Sequence, residues 1–298
     1  MDKDTLNIIF VAIALAFIGL TFTLNFFGKK IKNNYWFWSI PSLFFLIYFI
    51  VLRFYDAWSN LNQYLDINGS IWLRKENLTY YDSIVVSKAL LLDLCPFVAL
   101  ALPFSLIVDK SRRIAQAISP FCILGGAVTI PFIATSDPSA EISAKFLFLG
   151  NAPNQIFFIM HLYVIVCGTM VLSNSRNRTW WNLLDCHIFA ALYFGYVCFV
   201  SYTTNTTWNV TGINENDWTI GAYRGEYSEV SNILNLKWPN VMIVSFVMAY
   251  VFVVGIASIN IYWKIKQQKK GCEVKKINIK KLKVNKNEKI KRLQKIAH

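Results

Sequence analysis

The sequence predicts an all-α membrane bundle of about seven transmembrane helices, with the N-terminus outside and the C-terminus inside. Three observations carry this. Charged residues make up only 16% of the 298-residue chain, against about 25% in soluble domains. Seven apolar stretches each approach or exceed the ~20 residues that cross ~30 Å of hydrocarbon as a helix. Lys and Arg gather on alternate loops between them.

The stretches cover residues 6–27, 36–52, 90–108, 114–135, 156–172, 181–202 and 241–263. In lipid the backbone must satisfy its own polar groups, so helices are expected rather than open strands. The alternation of a transmembrane barrel is absent. The first stretch follows Met1-Asp2-Lys3-Asp4, which lacks a basic leader region, and ends in bulky Asn25-Phe26-Phe27 without a cleavage site. It reads as a permanent helix. The predicted domains are a seven-helix membrane domain, residues 1–263, and a basic cytoplasmic tail, residues 264–298.

Charge sets the expected orientation. Inner loops would hold Lys29, Lys30 and Lys32, then Lys110, Arg112 and Arg113, then Arg176 and Arg178. The tail adds fourteen Lys and Arg against only Glu273 and Glu288. Outer segments carry most of the acidic residues. This matches the positive-inside rule and a multi-pass protein of the plasma membrane. The outer loops are long and rich in Tyr, Trp and Asn, and Asn68, Asn77, Asn205 and Asn209 stand in N-x-S/T contexts. Heavy use of Lys, Asn and Ile matches a bacterial, AT-rich genome, where those contexts carry no glycans.

Lys264, Lys266, Lys269 and Lys270 follow the last apolar stretch directly. Lysines just cytoplasmic of a membrane helix attract anionic headgroups. Segments 277–282 and 290–296 are short enough to lie on the surface as basic helices. Nucleic acid or a ribosome is the sharper alternative, since phosphate contacts also need only Lys and Arg. No aromatic residue follows Trp263, so base stacking is not offered there.

Ionisable residues inside apolar stretches are candidate functional groups. They are Asp93, His161, Asp185 and His187. Cys95 lies fourteen residues before Asp109, or about 21 Å along a helix, and His161 about 8 Å inside the fifth stretch. Both therefore fall in the outer part of the bilayer. A thiol and an imidazole at one depth suggest a nucleophile and its base. Asp93 would orient the histidine or share its proton. On a regular helix, however, Asp93 and Cys95 point about 200° apart. Asp185 and His187 belong to the inner boundary. Gly125-Gly126 allows close helix packing, and Pro96, Pro103, Pro120 and Pro131 suit bent helices around a cavity. The six cysteines include no C-x-x-C pair, so neither a disulfide framework nor a metal site is expected. No cofactor is implied.

A series of segments resembles the YwaF-type bacterial membrane proteins. Leu92-Asp93-Leu94-Cys95 is similar to their Leu-His-Leu-Cys, and Ile123-Leu124-Gly125-Gly126-Ala127 to their Gly-x-Ala-Gly-Ala. Phe157-Phe158-Ile159-Met160-His161 resembles their Phe-Phe-x-x-His, and Arg178–Leu184 their basic loop. Asn205-Thr206-Thr207-Trp208 is similar to a Thr-Asn-Tyr-Met motif, and Ile233–Pro239 to the segment leading into their last span. That family is in turn similar to eukaryotic cysteine-dependent lipid acyltransferases. The resemblance implies an acyl-accepting Cys95, a basic His161, and Asn205 in the substrate site. The chain carries Asp93 where the family pattern prefers His.

The expected function is acyl transfer or hydrolysis on a membrane lipid. The alternatives are a transporter of lipid or small solute, and a scaffold whose outer loops bind a partner. Oligomeric state is not legible in the sequence.

Overall fold

The computed structural model describes residues 34–54, 58, 65–66, 73–74, 86–87, 89–136, 144–150, 156–175, 178–203, 215 and 235–296. The stretch at 6–27 and most of the outer segments, Asn205 included, lie outside them. The other six apolar stretches each contain a helix. Helix α1 spans Tyr35–Phe49 and runs into a π-helical turn, Ile50–Phe54. A two-residue antiparallel ladder pairs β1, Leu65–Asp66, with β2, Leu73–Arg74. Then come α2 (Leu94–Val108), α3 (Arg113–Ser136), the short α4 (Ala144–Phe148), α5 (Phe157–Ser173), α6 (Trp181–Thr203) and α7 (Asn240–Ile296).

Local chemistry explains several helix ends. The Asn34 side chain caps α1 by accepting from the Trp36 N–H at 3.1 Å. Asp109 closes the turn between α2 and α3. Its carboxylate accepts from the Ser111 N–H and hydroxyl at 2.8 and 2.6 Å and from the Ile114 N–H at 3.0 Å. Burial raises that carboxyl, but these hydrogen bonds outweigh it and hold the group below the ordinary Asp value.

Contacts fix which helix ends lie together. Tyr35, at the start of α1, donates to the Ile107 carbonyl at the end of α2, and the Ser39 hydroxyl reaches Leu106 O at 3.2 Å. Arg113, at the start of α3, forks onto Asp185 near the start of α6, with both N···O distances 2.7 Å. At the end of α5, Asn260 and Lys264 of α7 donate to the carbonyls of Leu172 and Ser173 at 3.1 and 2.5 Å. The helices therefore alternate in direction. Lys110, Arg112, Arg113, Arg178, Lys264 and Lys266 collect at one end, beside Tyr35, Trp38 and Trp263.

The centre is α2, α3 and α5, with α1 packed on α2 and reaching Tyr163 of α5 through Ser42 and Phe45. Phe49, Leu102, Leu106, Ile118 and Met160 are fully enclosed there. Small residues let α3 and α5 approach closely. A Cβ on Gly126 would stand 2.6 Å from Ile165 Cβ, and one on Gly168 would stand 2.9 Å from Cys122 Cβ. In contrast, the long apolar helices α6 and α7 show Leu192, Phe199, Val251 and Ile259 at the surface. Among the described residues, three helical segments are long and apolar enough to cross a membrane: Tyr35–Arg53, Trp181–Thr203 and Asn240–Lys269.

Two expectations change here. The third stretch is not one helix from residue 90, because the chain breaks at 90–93 and α2 begins only at Leu94. The tail is not separated from the last span, because α7 continues through residue 264 to Ile296, 57 residues in all. Lys-rich sequence with few helix breakers allows this, since Lys has good helix propensity.

Candidate functional site

The site is built on the break before α2. The chain here reads Ala89-Leu90-Leu91-Leu92-Asp93. Leu91 takes a left-handed conformation, φ 56°, which is strained for a residue with a Cβ. The break exposes backbone groups that an apolar setting must satisfy. The Leu90 and Leu92 N–H groups bond back to Val86 O and Ser87 O at 3.0 and 2.9 Å. The carbonyls are met by side chains from elsewhere. Trp58 Nε1 donates to Ala89 O at 2.9 Å, the Tyr196 hydroxyl to Leu90 O at 2.5 Å, and the Tyr193 hydroxyl to Leu92 O at 2.8 Å. Phe97 fixes the two tyrosines, with ring centroids 4.9 and 5.7 Å away.

Asp93 is the N-cap of α2, with extended backbone. An N-cap carboxylate ordinarily accepts from the N–H two or three residues on. Three residues on is Pro96, which has no N–H. Asp93 makes no side-chain cap bond, and its Oδ1 accepts instead from the Ser87 hydroxyl at 3.4 Å. Because Asp93 stands outside the helix, the 200° divergence from Cys95 does not apply. Both act electrostatically on Arg53, which is 5% exposed in the π-helical turn.

Cys95 is half-buried in the first turn of α2. Its Sγ pairs with Thr129 Oγ1 at 3.9 Å and lies 2.9 Å from where a Gly125 Cβ would stand. The charges acting on the thiol are Asp93 and Arg53. His161 is 1% exposed in the first turns of α5. Its Nδ1 lies 2.7 Å from Phe157 O. A carbonyl only accepts, so Nδ1 carries the proton and Nε2 is the basic nitrogen of the neutral ring. The His161 carbonyl lies 3.1 Å from a Cβ placed on Gly126. Neighbouring residues of α3 thus touch Cys95 on one side and His161 on the other.

Arg53, Tyr193, Tyr196 and Thr129 were not legible as site residues. The one available signal was an arginine inside the apolar run Ile50-Val51-Leu52-Arg53-Phe54.

Among the basic candidates, Lys264 is engaged on the Ser173 carbonyl and is half-buried. Lys266 lies over the Trp263 and Tyr262 rings at 5.1 and 5.9 Å, and Lys269 is exposed. The Lys270 side chain, like Asn205, lies outside the described residues. Asp185 is held by Arg113 and Asn182 at the basic end, and His187 meets the Tyr250 hydroxyl. There the buried Arg178 guanidinium is pulled down to about 10, chiefly by burial. Among the described residues no group of three or more His, Cys, Asp or Glu could hold a metal ion.

A family of unknown function, DUF5378, matches residues 11–293. The chain belongs to that family. An uncharacterised protein of Mycoplasma genitalium, MG135, is 27% identical over 276 residues, which cover 89% of this chain and 94% of that protein. Its Mycoplasma pneumoniae homologue is 32% identical over 180 residues, 58% of this chain and 61% of that protein. No solved structure matches.

Proposed function

We propose that this member of the family is a seven-span protein of the plasma membrane with its basic end in the cytosol. We further propose that it acts on an ester lipid at the opposite end through Cys95. Several features support the membrane placement. The most apolar helices are the least covered, and Trp36, Trp180, Trp181, Tyr262 and Trp263 are exposed at the basic end, where an interfacial aromatic belt belongs. Lys266, Lys269 and Lys270 then reach anionic headgroups.

The observation that carries the chemical reading is the half-buried Cys95 thiol in the first turn after a helix break, 3.9 Å from Thr129 Oγ1, in a fold that also buries Arg53. Cys95 Sγ gives its proton to His161 Nε2 and attacks the ester carbonyl. The carbon–oxygen bond breaks, the leaving alcohol takes the proton, and a thioester remains. Water or an acceptor alcohol then attacks the thioester and restores the thiol. Arg53 steadies the developing negative charge, and Asp93 holds Arg53. The resemblance to YwaF-type proteins and their acyltransferase relatives points the same way. An activity probe for nucleophilic cysteines is expected to label the wild type and not Cys95→Ser. Equal labelling of both overturns the reading.

The broken helix favours a second reading, a transporter, because interrupted helices line substrate sites in such proteins. Flux in proteoliposomes that survives Cys95→Ser selects it.

A further inference from the structure

We propose that the distal part of α7, from about Lys275 to Lys295, is a rigid cationic rod that binds the phosphate backbone of double-helical nucleic acid. The proposal rests on the cytosolic placement of the basic end, and on nothing about Cys95.

Helix α7 is far longer than one crossing needs. Helix α7 has 57 residues, about 86 Å at 1.5 Å per residue. Crossing the hydrocarbon takes ~20 of them. The inner boundary is marked by Tyr262 and Trp263, by Lys264 on the Ser173 carbonyl, and by Lys266 over the aromatic rings. From Lys269 to Ile296 the helix continues for roughly another 40 Å. Attraction to anionic headgroups fades within a Debye length, about 8 Å at physiological salt. A helix that keeps its course carries the distal lysines several screening lengths from the bilayer.

A helix lying in the interface keeps its cations on one face and its apolar residues on the other. At 100° per residue, Lys275, Lys280, Lys281, Lys283, Lys291 and Arg292 fall on all sides of the distal segment. Lys286 falls within the sector shared by Ile279, Leu282, Ile290 and Leu293, and Lys289 about 20° beyond its edge. No face is fit to sink into lipid. The same arrangement suits a ligand that presents phosphates on two sides of a groove. Only Glu273 and Glu288 offset the charge, and self-association of such a rod is opposed by repulsion. No aromatic residue follows Trp263. Single strands are typically held by base stacking on aromatic rings, so a duplex read through its backbone is the fitting class.

The test uses the full chain in phosphatidylcholine nanodiscs at physiological salt, with a labelled 20-base-pair duplex RNA and a duplex DNA of the same sequence. Binding of either is expected, and the two arms identify which duplex is preferred. The affinity should fall with a log–log salt slope of about −0.9 for each phosphate neutralised. A Lys280→Gln, Lys281→Gln, Lys283→Gln, Lys286→Gln variant should lose at least tenfold in affinity and show a shallower slope. Ile279→Pro, which keeps every charge but breaks the rod, should also weaken binding. Retained binding in the glutamine variant overturns the proposal. So does failure to bind either duplex while vesicles of anionic lipid bind, which assigns the rod to the membrane.

Discussion

Replacing Gly126 by alanine adds one methyl group where α3 crosses α5. That methyl carbon would stand 2.6 Å from Ile165 Cβ and 3.1 Å from the His161 carbonyl oxygen. Real Cβ atoms essentially never come so close as the first of these. Neither neighbour is the free end of a flexible side chain, so the helices themselves must separate. Overpacking of this kind costs about 1–3 kcal/mol. Alanine also returns about 1 kcal/mol of helix propensity relative to glycine. Gly195, on α6, isolates that second effect, because a Cβ there meets nothing within 4 Å. The difference between Gly126→Ala and Gly195→Ala is therefore the crossing alone, about 1–3 kcal/mol in favour of Gly195→Ala. Thermal unfolding in detergent, followed by circular dichroism, measures it. The expected order of midpoints is Gly195→Ala at or above wild type, and Gly126→Ala clearly below Gly195→Ala. Equal midpoints for the two variants would refute the close crossing of α3 and α5 at Gly126.

Other consequences follow from the same contacts. Tyr193→Phe leaves the Leu92 carbonyl without its hydroxyl donor. It should cost about 1–3 kcal/mol, the penalty of a buried unmade hydrogen bond, and speed the reaction of Cys95 with a small maleimide; unchanged stability and labelling would contradict this. Asp109 has its carboxyl held below the ordinary value, so its stabilising effect is full above the unfolded-state pKa of about 3.9 and fades as pH falls through the lower folded-state value. The stability gap between wild type and Asp109→Ala should accordingly hold from pH 7 to about pH 4 and close below that. A gap that is already closed at pH 6 would contradict the hydrogen-bonded turn.

Much of the helical layout was legible because long apolar runs leave the backbone little choice. Trp181–Thr203 and Phe157–Ser173 begin within a residue of the predicted stretches. The gathering of Lys110, Arg113 and Arg178 at one end was also legible, since each stands between apolar runs. The break at 90–93 was not, because Leu-Leu-Leu-Asp-Leu reads as an uninterrupted helix. Its cause is tertiary: Trp58, Tyr193 and Tyr196, all distant in sequence, supply the donors that make a broken backbone tolerable there. The local hint was Asp93 three residues before Pro96, a cap whose usual partner is missing. Arg53 was not legible because sequence cannot show that the fold closes over it. Lys264 looked like a headgroup ligand, yet its place one turn beyond Asn260 brings it to the end of α5. The tail read as short basic helices rather than as the continuation of the last span, but the one glycine between them, Gly271, costs only about 1 kcal/mol among good helix formers.

The proposed membrane placement puts the basic end and the Cys95 end on opposite sides of a bilayer. In a cysteine-free background, Ser111→Cys marks the basic end and Leu149→Cys the other, both at exposed positions. A membrane-impermeant maleimide applied to intact cells should label Leu149→Cys at once and Ser111→Cys only after the cells are opened. Equal labelling of the two from outside would contradict it.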